Sequence, residues 1–548
     1  MTYTNYSGGK MKNMKTKKWI SLALCSILLL AAMAGCGTDS SKTTESLAAT
    51  AASPEAAAST TLRLVFPSTL TTLDISNGDG ATMLKEVAGV VETLVNVDSD
   101  FKLTPSLALS WERTGDFTWV IKLRQGVKFH DGTDFNAEAV KWCFERAAKE
   151  NSSFTSYTAI ESVDVIDDYT VQLNTSIKTG EIPEALTNVA AAIVAPSSVD
   201  ASGTFVEPVG TGYFKYKSFD VSTGEFVCDV FDGYWGGAQS SKIKERVIRS
   251  ISDSSTRSLA VQNGEVDIVT DVPFTDLITL KDASNLNVLQ FNTARVYFYT
   301  YNLNKAYLAD VNIRKALIYA IDRDELVNNV LLGVGGVPNG IFMDSVPWNN
   351  SEVDTYDYNV ETATKLLDEA GFVDSDNDGI REYKGQEVSL NIVTGSRRPG
   401  NPLIVQATQG YFKALGVEST VQVLEGTALT NAQTNGAYDL YLSSAATGYI
   451  PSASYYLYQY YYSGSKNAQL AGYSNPALDK LLEECKNTAA SEEKNELSRQ
   501  AQKLAQDDAA VYTVARYGAV FAMNSKTTGF EYSAAVHDFI VPYSTDLS

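Results

Sequence analysis

The chain has 548 residues and carries a formal net charge of −21. This acidity argues against nucleic acid as a partner, because nucleic-acid recognition depends on a basic face. Hydrophobic residues make up 44% of the chain, which is enough apolar material for the cores of two to three domains.

The first 36 residues resemble the signal of a bacterial lipoprotein. A basic stretch at 11–18 precedes an apolar run at 19–34, which is too short for a typical membrane-spanning helix. The sequence Met-Ala-Gly-Cys follows at 33–36 and predicts lipidation of Cys36, with an ordinary secretory signal as the alternative. Residues 37–60 are rich in Ser, Thr and Ala and predict a flexible tether. We therefore expect an extracytoplasmic protein, anchored by lipid to the cell membrane at the cell surface or in the periplasm.

The cysteines and histidines exclude several kinds of site. Beyond Cys36 the chain has Cys143, Cys228 and Cys485, whose wide spacing predicts buried, unpaired thiols rather than disulfides or a metal site. The only two histidines, His130 and His537, leave little for a His-based catalytic triad. We expect neither enzymatic activity nor a cofactor.

Segments with strand periodicity alternate with segments of helical periodicity from residue 61 onward. In chain order, the patterns predict a strand at 61–66, a helix at 82–94, a strand at 119–124, a hairpin at 162–173, a helix at 311–332, a strand at 389–393, a helix at 402–415 that Gly416 ends, and strands at 419–423 and 438–442. This alternation predicts an α/β fold with mixed sheets.

Residues 111–140 are the most informative segment. They predict a strand, a turn at Asp131-Gly132 and a helix that Asn136 caps. The part at 123–140, LRQGVKFHDGTDFNAEAV, closely resembles the block typical of the family 5 extracellular solute-binding proteins, which are the peptide/nickel-binding components of ABC importers. Six further segments resemble that family in its own order: PVGTGYF at 208–214, DGYWGG at 232–237, LAVQNGEVDI at 259–268, DVNIRKALIYAIDRDELVNNV at 310–330, ATKLLDEAG at 363–371 and GYSNPALDKLL at 472–482.

The resemblance covers roughly residues 60–548. It implies an α/β, two-lobed periplasmic-binding-protein type II fold with an extra inserted domain (cluster C), mixed sheets and the ligand in the interlobe cleft. The implied domains are a discontinuous lobe I at 60–95, 207–300 and 511–548, an inserted domain II at 96–206, and lobe III at 301–510. A monomer of this kind captures a small ligand by cleft closure and delivers it to the transmembrane subunits of an ABC permease.

Two segments bear on the ligand. Residues 395–402, GSRRPGNP, resemble the S-R-P-E-L-P segment of the nickel- or metallophore-type subgroup, and Arg398 matches its arginine. A guanidinium can clamp a carboxylate with two hydrogen bonds, which suits a polycarboxylate chelator. The chain departs from the pattern where Gly400 replaces the glutamate and where Arg397 adds a second arginine.

Residues 445–451, AATGYIP, resemble the T-G-D-P-like segment of the same subgroup. Peptide-binding relatives have an acidic residue here that pairs with the α-amine of the peptide, and this chain has none. A metal chelate or metallophore is therefore the favoured ligand, and an oligopeptide or dipeptide is the alternative. The predicted ligand contacts are Arg398, Arg397, Thr447, Tyr449, Met83, Thr82 and Arg146.

Two other patterns carry weaker hypotheses. Asp374, Asp376 and Asp378 begin a D-x-D-x-D-G calcium-loop pattern, but Gly385 stands where a bidentate glutamate belongs. We expect a turn stabilised by Asp side chains, with a structural calcium ion as the alternative. The fragments KTG at 178–180, SKIK at 241–244 and SDN at 375–377 imitate β-lactamase motifs in the wrong order, so a secreted serine hydrolase is a distant alternative.

Overall fold

The computed structural model describes residues 60–535 and 540–548, so the predicted signal peptide, Cys36, the tether and His537 lie outside the described residues. The strands are β1 (Thr61–Phe66), β2 (Val95–Val97), β3 (Leu103–Pro105), β4 (Ala108–Arg113), β5 (Thr118–Leu123), β6 (Ile160–Asp167), β7 (Thr170–Thr175), β8 (Phe214–Asp220), β9 (Glu225–Val230), β10 (Glu245–Ser250), β11 (Ile268–Thr270), β12 (Leu286–Tyr301), β13 (Phe372–Val373), β14 (Glu382–Tyr383), β15 (Gln386–Glu387), β16 (Ser389–Gly395), β17 (Glu418–Leu424), β18 (Leu440–Ala446), β19 (Val511–Asn524), β20 (Thr527–Thr528) and β21 (Asp546–Leu547).

The α-helices are α1 (Gly78–Thr82), α2 (Ala137–Glu150), α3 (Ser152–Thr158), α4 (Ile182–Ala185), α5 (Ser254–Gln262), α6 (Leu277–Asp282), α7 (Ala306–Ala309), α8 (Val311–Tyr319), α9 (Arg323–Glu325), α10 (Val360–Glu369), α11 (Gly400–Ala414), α12 (Gly426–Thr434), α13 (Tyr455–Tyr461), α14 (Lys466–Ala471), α15 (Pro476–Asn487) and α16 (Glu492–Asp508). Wider π-helical turns extend α1 over Met83–Ala88 and α9 over Leu326–Val330. Short 3₁₀ turns lie at Val189–Ala191, Pro196–Ser198 and Phe274–Asp276.

Most local predictions are confirmed. The strand predicted at 61–66 is β1, and the hairpin predicted at 162–173 is formed by β6 and β7. Asn136 caps α2 by accepting a hydrogen bond from the backbone nitrogen of Ala139 at 3.0 Å. The thiols of Cys143, Cys228 and Cys485 are free and buried, as expected. No helix of the described residues is long and apolar enough to span a membrane.

Two predicted helices differ from the structure. The helix predicted at 82–94 begins earlier, at Gly78, and ends at Gly89, whose φ of +72° turns the chain out of the helix. The helix predicted at 311–332 is interrupted after Tyr319. There Asp322 accepts a hydrogen bond from the backbone nitrogen of Glu325 at 2.9 Å and caps a new helix, because a short acidic side chain competes for backbone N–H groups.

The largest sheet has ten strands in the order β17-β16-β18-β12-β19-β11-β1-β10-β9-β8. At one end β1 runs parallel to β10 and β11, and at the other end β16 runs parallel to β17 and β18. The two long antiparallel strands β12 and β19 join these ends. β12 pairs with β18 through residues 295–301, whereas β19 pairs with β11 through residues 521–523. The chain therefore passes twice between the two halves of the sheet inside continuous strands.

The pairing between these two strands is irregular near its middle. The register shifts between Asn292 and Val296 of β12, opposite Gly518 of β19. A Cβ atom at Gly518 would stand 2.3 Å from the backbone nitrogen of Gly335, so the two backbones touch. Gly335 itself has a φ of +99°. This bulge lies between the two halves of the sheet, which is where a hinge between the two predicted lobes would have to lie. The predicted domain boundaries themselves stay predictions.

Within residues 60–535 and 540–548, the buried side chains form three large clusters and one small one. The first contains β1, the helix at 78–88 and an antiparallel four-stranded sheet of order β4-β5-β7-β6, against which α2 packs. The second surrounds α8, α10 and α11 on the β16–β18 half of the large sheet. The third contains α13 to α16 together with Phe298 and Trp348. The four-stranded sheet falls within the range 96–206 that the sequence assigns to an inserted domain.

Candidate ligand-binding cleft

A cavity of about 560 Å³ lies where the two halves of the large sheet face each other. The loops that line it follow the carboxyl ends of four strands: residues 67–69 after β1, 252–254 after β10, 395–397 at the end of β16 and 424–429 at the end of β17. β1 is parallel to β10, and β16 is parallel to β17. In open α/β sheets, ligands bind outside the carboxyl ends of parallel strands. We call this space the cleft cavity.

The walls of the cleft cavity carry hydroxyl groups and charges of both signs. The hydroxyl-bearing residues are Ser68, Thr69, Ser252, Ser254 and Ser396. Arg397 has 48% of its side chain exposed, and its Nη2 lies 3.8 Å from Oδ1 of Asp79. Glu425 accepts a hydrogen bond from Ser396 at 2.5 Å. A solute that carries a carboxylate and several hydrogen-bonding groups can be held by such a surface.

Arg398, the next residue, is buried and paired. Its Nη1 donates a hydrogen bond to Oδ2 of Asp271 at 2.7 Å, and both side chains are less than a tenth exposed. The phenol of Tyr517 donates to the other oxygen of the same carboxylate, and the guanidinium lies 5.4 Å from the centre of the Tyr517 ring. Burial, followed by the charge of Asp271, raises the pKa of Tyr517. This cluster joins the segment after β11 to the segment before α11, across the two halves of the sheet.

Asp271 is held in a strained conformation. Its φ is +55°, which is uncommon for a residue other than glycine. Its backbone oxygen accepts a hydrogen bond from Nη2 of Arg257 at 2.6 Å, and Arg257 also donates to the backbone oxygens of Thr270, Ile251 and Ser252. Arg257 therefore fixes the loops that follow β10 and β11, and so the position at which Asp271 meets Arg398.

Thr447 and Tyr449 lie on the loop after β18. Thr447 is buried, and its hydroxyl donates to the backbone oxygen of Ala294 at 2.7 Å, so it fixes the loop to β12. Tyr449 is partly exposed; its ring packs edge-on against Tyr157 at 6.2 Å and at a tilt against Tyr455 at 6.3 Å between ring centres. Thr447 is thus engaged with β12 and Tyr449 with two other tyrosines, and a ligand contact by either residue stays a prediction.

The other three predicted contacts lie elsewhere. Met83 has no exposed surface and belongs to the first hydrophobic core, and Thr82 beside it is 3% exposed. Both residues stand in the middle of a helix rather than at its start. Arg146 forms two hydrogen bonds with the carboxylate of Asp74, at 3.0 and 2.6 Å. The structure therefore places Arg397 at the cleft cavity and Arg398 beside it in a buried ion pair, whereas Met83 and Thr82 pack in a core and Arg146 is engaged with Asp74.

Sequence reasoning missed two groups of this site, Asp271 and Arg295. Arg295 is 7% exposed on β12, where its Nη1 lies 3.4 Å from the backbone oxygen of Ser444 and its guanidinium 6.0 Å from the Tyr517 ring. Two patterns in the sequence could have indicated these residues. Arg295 is the single arginine within the apolar and aromatic strand β12, and Asp271 comes directly after the apolar strand β11. Charged residues at such positions are rarely buried without a partner.

The acidic loop brings together four carboxylates. Asp374, Asp376, Asp378 and Glu382 have ligand atoms within 4.8 Å of one another. Asp374 accepts from the backbone nitrogens of Asp378 at 3.2 Å and Gly379 at 3.0 Å, and Glu382 accepts from the backbone nitrogen of Ser375 at 2.8 Å. These are the hydrogen bonds of a turn stabilised by acidic side chains, and they do not test calcium binding.

The fragments that imitate a serine hydrolase make separate contacts. The Ser241 hydroxyl donates to the backbone oxygen of Thr545 at 2.8 Å, and the Ser375 hydroxyl donates to Glu382 at 2.6 Å. Lys178 lies 3.3 Å from Asp116. In the described part of the chain, none of these three residues is paired with another of them.

Comparison with known proteins decides the family. The family model for bacterial extracellular solute-binding proteins, family 5 Middle, matches residues 102–468. The chain belongs to the family 5 extracellular solute-binding proteins. This confirms the resemblance of the six segments from 123–140 to 363–371, which lie within the match, and it identifies the chain as an ABC substrate-binding protein.

Relatives of this solute-binding protein bind different solutes. The glutathione-binding protein GsiB of Pectobacterium atrosepticum is 27% identical over 88% of this chain and 93% of its own length. NikA from Staphylococcus aureus, solved with Ni(L-His)2, superposes with a TM-score of 0.76 at 21% identity over 89% of this chain and all of that one. The oligopeptide-binding protein AppA from Bacillus subtilis, solved with a nonapeptide, gives a TM-score of 0.71 at 21% identity over 88% and 99%. These structural similarities confirm the two-lobed fold class of the solute-binding protein. The relatives are transport proteins rather than enzymes.

Proposed function

We propose that this solute-binding protein captures a small carboxylate-bearing solute, in the favoured form a metal ion held in an organic chelate, and delivers it to an ABC permease. The observation that carries the proposal is the position of Arg397 in the cleft cavity, half exposed and surrounded by serine and threonine hydroxyls. A guanidinium of this kind binds a carboxylate with two parallel hydrogen bonds. Its contact with Asp79 is long, at 3.8 Å, so a ligand carboxylate can compete for it.

The cleft cavity favours a chelated metal over a bare ion. Transition metals prefer imidazole and thiolate ligands, and no histidine or cysteine lines the cleft cavity in the part of the chain that the structure describes. Its oxygen-bearing side chains and its guanidinium instead suit the outer surface of a chelate. Arg398 contributes to ligand binding indirectly, because its ion pair with Asp271 holds the loop that carries Arg397.

A short peptide is the second candidate. It is favoured by the glutathione-binding relatives and by the acidic side chains of Glu425 and Asp253 at the same cavity, which can accept hydrogen bonds from an ammonium group. Glutathione and dipeptides carry both an ammonium group and a carboxylate, and the cleft cavity offers partners for both.

We further propose that the protein is a lipoprotein held at the membrane through Cys36, as the sequence at 33–36 indicates. The tether at 37–60 would then place the cleft within reach of the permease, since a flexible chain of this length spans roughly 25 Å between its ends.

Native mass spectrometry of the protein purified from its own host, with metal analysis of the same sample, tests the ligand. An adduct that contains nickel, cobalt, zinc or iron in an organic chelate supports the chelate proposal. A ladder of adduct masses built from amino-acid residues, without a transition metal, refutes it and supports the peptide. In either case Arg397→Met is expected to lose the adduct, whereas Arg249→Met, which removes an arginine of similar exposure paired with Glu265, is expected to keep it.

A further inference from the structure

The chain after β7 touches α15 and the loop that follows it. Residues 176–188 belong to the range that the sequence assigns to inserted domain II, whereas 485–494 belong to the range of lobe III. The backbone nitrogen of Gly180 donates to the backbone oxygen of Lys486 at 2.9 Å. A Cβ atom at Gly180 would stand 2.4 Å from the carbonyl carbon of Thr488, so the two backbones touch. We call the contact between these two ranges the interlobe contact.

Two buried carboxyl groups lie at the interlobe contact, and Lys494 is paired with one of them. The Nζ of Lys494 lies 2.7 Å from the carboxylate of Glu181, and the hydroxyls of Ser452 and Ser454 donate to the same oxygen. Glu184, one helical turn further along, is 4% exposed, and its Oε2 makes no hydrogen bond in the described part of the chain. A charged Glu184 therefore adds a second, unsatisfied negative charge to a buried site whose lysine is already engaged.

The other titratable groups near Glu184 do not balance its charge. Around α4 these groups are Glu181 on its N-terminal side, Tyr157 on α3, Tyr455 on α13, Cys485 and Lys486 on α15, and Lys494 on α16. Burial raises the pKa of the Cys485 thiol to about 12, so this thiol is neutral. The Nζ of Lys486 lies 4.3 Å from the centre of the Tyr458 ring, and its charge interacts with those of Glu181 and Lys494.

We propose that the interlobe contact is a latch that closes with uptake of one proton by Glu184. In the closed arrangement the carboxyl group is buried beside the pair of Glu181 and Lys494 and holds a proton taken from water. When the lobes separate, water solvates the carboxylate and the proton returns to the solvent. Acidic surroundings therefore favour the closed form that holds the solute, and less acidic surroundings favour opening. This inference rests on the proposed function in requiring that the two lobes close around a solute.

The size of the effect follows from the pKa of Glu184 in the two arrangements. Burial raises this pKa from its ordinary value of 4.5 to about 7 in the closed arrangement. A group whose pKa is raised on closure stabilises the closed form fully below the open value, and this contribution is lost as the pH rises through the closed value. Between about pH 6 and about pH 8 the ratio of closed to open protein is therefore expected to fall about tenfold.

Single-molecule energy transfer between two dyes measures this ratio without any solute. The dyes are attached through Glu161→Cys on β6 and Lys480→Cys on α15, which are exposed positions on the two sides of the interlobe contact. The full chain carries Cys36→Ala as well, and the native cysteines of the described residues are buried. The tenfold fall is expected in this parent protein.

Two variants of the parent protein test whether Glu184 is the group that takes the proton. Glu184→Gln is neutral at every pH, so at about pH 8 it is expected to keep at least the closed fraction that the parent has at about pH 6. The matched control is Glu150→Gln, which removes an exposed carboxylate at the end of α2 and is expected to follow the parent.

Either of two results overturns the proposal. One is a parent protein whose ratio of closed to open molecules is the same at both pH values, which needs no variant. The other is a Glu184→Gln protein that keeps the pH response of the parent. The host-derived adduct of the cleft cavity is measured separately by mass spectrometry. An adduct that depends on Arg397 without a pH response would therefore leave the proposed function standing and refute the latch, and the reverse result would separate them in the other direction.

Discussion

The buried ion pair between Glu181 and Lys494 can be tested by removing its lysine. Lys494 has 3% of its side chain exposed and Glu181 has 9%. Lys494 also donates to the backbone oxygen of Thr488 at 3.1 Å. Lys494→Met fills much of the same space but leaves the carboxylate buried, with only the hydroxyls of Ser452 and Ser454 as partners. An uncompensated buried charge costs about 3–5 kcal/mol of unfolding free energy, and we expect a loss of that size.

A double variant distinguishes the effect of the buried charge from the effect of changed packing. In Glu181→Gln/Lys494→Met neither member of the pair is charged, so we expect stability at pH values below 7 to return to within about 1–2 kcal/mol of wild type, because well-packed neutral replacements of a buried pair are often neutral. Lys503→Met serves as the control, since it removes a 68% exposed lysine from the same helix and is expected to change stability by less than about 0.5 kcal/mol. Urea unfolding at several pH values measures all four proteins.

The pH dependence of the free energy of unfolding distinguishes wild type from Lys494→Met most clearly. Burial acts to raise the pKa of Glu181, but the charge of Lys494 and the hydrogen bonds from Lys494, Ser452 and Ser454 together outweigh it, so the pKa lies below its ordinary value. In wild type this group therefore stabilises the fold above the unfolded pKa of glutamate, near 4.5, and loses that contribution as the pH falls through the folded pKa. In Lys494→Met the two serine hydroxyls remain but burial, the largest cause, outweighs them, and the sign reverses: stability falls as the pH rises above that value. A Lys494→Met protein that loses less than about 1 kcal/mol, with an unchanged pH profile, would refute the reasoning.

Three further predictions concern other parts of the chain. Burial raises the pKa of Glu184 to about 7, so this group lowers the free energy of unfolding progressively as the pH rises from 4.5 to 7. Glu184→Gln is expected to remove about 3 kcal/mol of this loss, which urea unfolding at several pH values measures. Gly518→Ala forces a Cβ to within 2.3 Å of the Gly335 nitrogen and is expected to lower the melting temperature, whereas Gly410→Ala, with nothing within 4 Å, is expected to raise or preserve it in calorimetry. Cys36→Ala is expected to move the protein from the membrane fraction to the soluble fraction on cell fractionation, with loss of the lipid mass; a variant that stays in the membrane fraction would contradict lipid anchoring.

Local patterns in the sequence identify most elements because they depend on neighbouring residues only. The alternation at 61–66, the cap at Asn136 and the turn between β6 and β7 are each decided within a few residues, and the structure confirms them. The segment at 310–330 shows the limit of that approach. Its apolar face continues through Asp322, but the side chain of this residue captures a backbone N–H and restarts the helix.

The sequence by itself determined the family and the α/β class and singled out two neighbouring arginines, because ordered motifs and hydrophobic periodicity are properties of the linear chain. Only the tertiary structure decided what each arginine does: Arg397 faces open space, whereas Arg398 is buried against Asp271, 127 residues away along the chain. The same holds for Met83, whose burial depends on partners from distant strands. Contacts of this kind depend on how separate segments pack, and no local pattern records which carboxylate or which core a side chain will meet.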